Sequence, residues 1–150
     1  MRAMVLRVLL SLLFKEGEEV TSRYENSQRI LWNMKYACFF LSLLSIAEEV
    51  TEKKVDLLDA ARYCKEKGWI DDEFTVLYDC KILSWLTGKK VTKTAVDKLG
   101  IVKGNQYTIE KWLAKDGRGN HFRRRYFDVY NGSVTVRDGT LMCYYLYTVV

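Results

Sequence analysis

The spacing of hydrophobic positions changes character near residue 104. Before it, apolar residues recur at helical intervals. Cys38-Phe39-Phe40-Leu41-Ser42-Leu43-Leu44-Ser45-Ile46-Ala47 is apolar almost all round, closed by Glu48 and Glu49. A helix without a polar face belongs in the middle of a domain. Val55, Leu57, Leu58, Ala61 and Cys64 predict a second helix, ended by Gly68. Trp69-Ile70-Asp71-Asp72 reads as a turn into a helix from about Thr75 to Leu86, stopping before Gly88. Thr92 to Leu99 reads as another short helix, ended by Gly100.

After Gly104 the period shortens to two. Tyr107, Ile109 and Lys111 alternate with Thr108, Glu110 and Trp112. Gly117-Arg118-Gly119-Asn120 is a turn, and His121 to Tyr130 is rich in aromatic residues. Asn131-Gly132 and Asp138-Gly139 are hairpin signals around Val134-Thr135-Val136, and Leu141 to Val150 ends the chain. The C-terminal third therefore predicts about four antiparallel strands. Helices first and sheet afterwards is an α+β arrangement, with the central buried helix packed on the C-terminal antiparallel sheet.

The first 20 residues pose a separate question. Met4 to Phe14 is apolar like a signal-peptide core, but Arg7 interrupts it. Lys15-Glu16-Gly17-Glu18-Glu19 follows without a small-residue cleavage site. The run is too short to span a membrane. A docked N-terminal helix is the preferred expectation, and a cleaved export signal is the alternative.

The length of 150 residues suits one domain, 1–150, and the chain contains no proline, which excludes proline-rich linkers. The net charge of +5 is spread out: −1 over residues 1–52, +3 over 53–104 and +3 over 105–150. No segment is a basic tail. Cys38, Cys64, Cys80 and Cys143 form no CxxC, and there is one histidine, so no metal site is indicated. Widely spaced cysteines in a chain of this size suit reduced thiols in a cytoplasm. No cofactor signature is present; Gly88-Lys89-Lys90 lacks the glycine-rich loop of a nucleotide site.

Two residue types can carry chemistry. Cys38 opens the apolar helix, where the positive end of the helix dipole favours the thiolate, the competent nucleophile. A cysteine there is also an ordinary small buried hydrophobe. His121 follows a turn and opens a strand, so any imidazole base is this one. Asp128 lies seven residues on. That odd spacing puts the two on opposite sides of a straight strand, so their meeting requires a bulge or a turn.

The order of these features resembles the papain-like cysteine peptidase fold in the compact form of bacteriocin-leader peptidases. It is closer still to a family of small bacterial and phage proteins related to them. The resemblance rests on Ala37-Cys38-Phe39-Phe40, Gly68-Trp69-Ile70-Asp71, Gly119-Asn120-His121-Phe122 and Asn131-Gly132-Ser133-Val134-Thr135-Val136, and covers roughly residues 25–150. It implies a thiol hydrolase of peptide or amide bonds. Cys38 would be the nucleophile, His121 the general base and Asp128 the group orienting the imidazole. The backbone N–H of Cys38 would serve an oxyanion. The family usually places a glutamine about six residues before the cysteine; Trp32 stands there, with Gln28 and Asn33 the nearest amides. Phe39 stands where the peptidases often carry glycine, and the strand after the histidine reads Phe122-Arg123-Arg124-Arg125-Tyr126 rather than apolar.

Arg123, Arg124 and Arg125 support a second reading. Guanidinium groups pair with phosphate or carboxylate and stack on aromatic rings. Together with the sheet tyrosines they would make an idle module of the same fold, holding an anionic partner such as nucleic acid or an acidic protein. Their bland role is to guard a solvated edge strand, as tyrosines commonly serve sheet packing.

Overall fold

The computed structural model describes residues 37–113, 119–124 and 139–150. Among the described residues three helices come first: α1 (Ala37–Thr51), α2 (Leu57–Glu66) and α3 (Asp79–Thr87). Four strands follow: β1 (Val91–Val96), β2 (Gln106–Leu113), β3 (Asn120–Arg123) and β4 (Thr140–Val149). They form one sheet in the order β1-β4-β2-β3, with every neighbouring pair antiparallel. This is the expected α+β arrangement. The N-terminal segment 1–20, the Asn131-Gly132 hairpin signal and Val134-Thr135-Val136 lie outside the described residues.

Helix α1 is buried on nearly every side, from Ala37 through Ala47 except Phe39, as its lack of a polar face requires. The serine hydroxyl of Ser42 donates to the Cys38 carbonyl at 2.8 Å, so a polar side chain is satisfied inside the core. The helix stops where Glu52 adopts a left-handed φ of 56°. Glu48 then holds the exit by accepting the Val55 N–H at 2.8 Å.

Helix α2 begins at Asp56, whose carboxylate accepts the Asp59 N–H at 3.0 Å. At its other end Gly68 has φ 74°; its N–H donates to Lys65 O, and the Trp69 N–H donates to Cys64 O at 2.8 Å. That pair of bonds is a Schellman ending, which favours glycine at the left-handed position.

Two expectations need correcting. The helix placed from about Thr75 begins at Asp79 instead. Asp71 accepts the N–H groups of Glu73 and Thr75, at 2.8 and 2.9 Å, and Ile70 bridges Val76. A side-chain acceptor has captured backbone donors that a first helical turn would leave unsatisfied. The helix placed over Thr92–Leu99 is strand β1 for Val91–Val96. Val91, Thr92, Thr94 and Val96 are β-branched and stiff in a helix, and β4 supplies the partner. Among the described residues the sheet thus has four strands, one of which precedes the C-terminal third.

Strand pairing puts Tyr107, Ile109, Phe122, Tyr145 and Tyr147 in the same core as α1 and α3. Ile109, Tyr147, Ile82 and Leu83 are fully buried there. The opposite pleat carries Glu110, Trp112 and Arg123. Glu110 accepts from the Arg123 Nε at 2.7 Å and from the Trp112 indole at 2.8 Å. Among the described residues no helix is long and apolar enough to cross a membrane.

Candidate active site

Among the described residues β3 is an edge strand: it pairs with β2 on one side and faces α1 on the other. A stripe of α1 meets it. Cys38, Ser42, Ser45 and Glu49 recur at intervals of four, three and four, which places them along one helix face. The Phe122 N–H, a donor on the open edge, points at the Cys38 Sγ at 3.5 Å. One residue on, Phe39 and Phe122 stack with ring centroids 4.2 Å apart. Further along, the Arg124 guanidinium donates to Glu49 at 2.6 Å and to the Ser45 hydroxyl at 3.4 Å. The helix therefore runs alongside the strand and covers backbone groups that an edge would otherwise expose.

Cys38 and His121 occupy this seam. The amide nitrogen of Phe122 belongs to the peptide that begins at His121. Adding the ~2.4 Å from that nitrogen to the preceding Cα puts His121 Cα within roughly 6 Å of the sulfur. That span is within the reach of an imidazole plus one hydrogen bond. The pleat turns His121 toward the side of Trp112 and Arg123, away from Phe122. Both residues are enclosed, with 1% of their surface exposed. Cys38 and the other three cysteines are free thiols. Burial pushes the Cys64 thiol up to about 11, as expected of a cysteine packed as a hydrophobe.

The remaining candidates divide. Asp128, Gln28, Asn33 and Arg125 lie outside the described residues. Arg123 and Arg124 are engaged within the fold. Arg123 is ion-paired to Glu110 and lies 5.3 Å from the Trp112 ring centroid, and Arg124 is ion-paired to Glu49. Carboxylates of the same chain thus already meet two of the three guanidinium groups expected to face an anionic partner. Among the described residues no cluster of His, Cys, Asp and Glu is placed to hold a metal ion.

Sequence reasoning missed the polar stripe. Ser45 and Glu49 sit at helical spacing from Cys38, and that spacing was the available signal. Comparison with protein-family models, with curated proteins and with solved structures returns no match to this chain.

Proposed function

We propose that this chain is a papain-like thiol hydrolase acting on peptide or amide bonds, with Cys38 as nucleophile and His121 as general base. The observation that carries the reading is the 3.5 Å approach of the Phe122 N–H to Cys38 Sγ, since it ties the backbone beside the only histidine to the sulfur. His121 takes the thiol proton, and the sulfur attacks the carbonyl carbon. The proton then passes to the departing amine, leaving a thioester on Cys38. Water, deprotonated by the same imidazole, releases the acid and restores the thiol. The Cys38 N–H, near the start of α1, is the candidate donor to the oxyanion. Asp128 is the candidate for orienting the ring.

One observation favours a second reading, an idle module of the same fold. The sulfur and the imidazole are both enclosed, so a substrate needs the seam between α1 and β3 to open. A thioester trap separates the two. The full chain is incubated with a peptide mixture, quenched in acid and analysed by mass spectrometry. The hydrolase reading expects an acyl adduct on Cys38 and peptide cleavage, both absent in Cys38→Ser. Unchanged peptides with no adduct leave the idle module standing.

A further inference from the structure

Strand β1 lies at the opposite edge of the sheet from β3. Lys90 and Val150 exchange both backbone hydrogen bonds at 2.9 Å, which makes them a closely spaced pair. Alternation from that pair turns the N–H and C=O groups of Thr92, Thr94 and Val96 toward β4. Those of Val91, Lys93 and Ala95 then point outward. Thr92, Lys93, Thr94 and Ala95 are all exposed, and among the described residues no strand pairs with this edge.

Exposed edges are usually guarded by a bulge, a proline or a projecting lysine. β1 pairs with β4 in unbroken register, and the chain contains no proline. Its one charged residue, Lys93, is drawn inward instead. The Lys93 amine is 2.8 Å from Asp79 and 3.7 Å from the centroid of the Tyr145 ring. Among the described residues of β1, none leaves a charge standing over the outward backbone row.

We propose that β1 pairs with β1 of a second copy of this chain, joining two four-stranded sheets into one antiparallel sheet about a two-fold axis. In such a pair, outward-facing residues must meet outward-facing residues, which restricts the register. Centring the axis on Lys93 sets two lysines against each other. Centring it on Thr92 or on Ala95 runs the ladder off one end of the strand. Centring it on Thr94 sets Thr94 against Thr94 in a widely spaced pair, Lys93 against Ala95, and Thr92 against Val96. That register opposes no like charges and places β-branched side chains together, so the strand is complementary to itself. A second copy is therefore the occupant this edge fits, and pairing there leaves the seam at β3 untouched.

The test uses the full chain. Sedimentation over a concentration series is expected to show a dimer. Thr94→Lys places two ammonium groups at the axis and is expected to weaken the dimer by roughly tenfold or more. Ala95→Pro removes an outward donor while sparing the ladder to β4, and is expected to do the same. Should that variant fail to fold, Thr94→Lys carries the test, because it leaves the backbone intact. In a widely spaced pair the Cα atoms lie about 4.5 Å apart, so Thr94→Cys is expected to cross-link across the axis on oxidation. Thr92→Cys, displaced along the strand, is not. Peptide mapping distinguishes these cross-links from those of Cys80 and Cys143. A chain that is monomeric at every concentration, a dimer indifferent to Thr94→Lys, or equal cross-linking at 92 and 94 overturns the proposal.

Discussion

The hydroxyl of Tyr147 donates to the Asp79 carboxylate at 2.7 Å, joining the first turn of α3 to the middle of the sheet across 68 residues. Tyr147 is fully buried, and Lys93 binds the same carboxylate oxygen at 2.8 Å. Burial would raise the Asp79 carboxyl, but the bonds from Lys93 and Tyr147, with the Lys93 charge, hold it below its ordinary value. Burial, reinforced by the Asp79 charge, pushes the Tyr147 phenol upward. Helix and sheet are thus tied by a charge-assisted network inside the fold.

Removing that charge has a defined pH signature. A carboxyl whose folded pKa is depressed contributes stability above its unfolded value, near ~3.9, and loses it as pH falls through the folded value. Asp79→Asn is expected to cost about 1.5–3 kcal/mol at pH 7, the usual range for hydrogen bonds to a charged group. The gap to the parent chain should close as pH falls below the ordinary carboxyl value of about 4. Urea unfolding of both proteins across that range measures it. A gap that stays constant with pH means that Asp79 is not the titrating tie.

The pair Arg124–Glu49 closes the seam between β3 and α1 at 2.6 Å, with the Arg124 side chain 18% exposed and Glu49 55% exposed. Solvent screening at the Glu49 end limits the pair to about 0.5–1 kcal/mol in a double-mutant cycle. Its local effect should be larger than its global one. Glu49→Gln is expected to speed hydrogen exchange at Phe122 and its neighbours in β3 more than in β4. Equal exchange in the two strands would remove the pair from the seam.

Gly68 tests the ending of α2. A Cβ there meets nothing within 4 Å, so the cost of a side chain comes from the φ of 74° alone. Gly68→Ala is expected to destabilise by about 1 kcal/mol, and Gly68→Asn by less, since asparagine tolerates the left-handed region. Thermal unfolding of the two variants gives the order. Alanine equal to glycine would mean that the helix ends in another conformation.

Local rules made much of this fold legible. The run from Cys38 to Ala47, apolar apart from Ser42 and Ser45, marks an enclosed helix, and Gly68 and Gly88 mark real helix ends at φ 74° and 69°. The alternation from Tyr107 to Trp112 is strand β2. Mistakes arose where a distant or competing partner decided the outcome. Thr92–Leu99 has helix-like spacing, yet β1 is built by pairing with β4, whose residues lie about fifty positions later. Asp71 takes the backbone donors at Glu73 and Thr75, so α3 starts four residues after the expected position. The contact between Cys38 and Phe122 spans 84 positions, and Asp79 to Tyr147 spans 68; no local pattern reports either. For the first, the order of chemical groups along the chain paired Cys38 with His121, the residue before the amide that meets the sulfur. The second left no signal, because an aspartate opening a helix already has a sufficient role there.

The hydrolase reading stands on a sulfur made reactive by the imidazole of His121, whose backbone borders the same seam. Alkylation by iodoacetamide near neutral pH, resolved thiol by thiol by mass spectrometry, tests that directly. Cys38 should be modified faster than Cys64, Cys80 and Cys143 despite its enclosure, and His121→Ala should abolish the advantage. Four thiols that react according to exposure alone, with Cys38 among the slowest and indifferent to His121→Ala, would contradict the account.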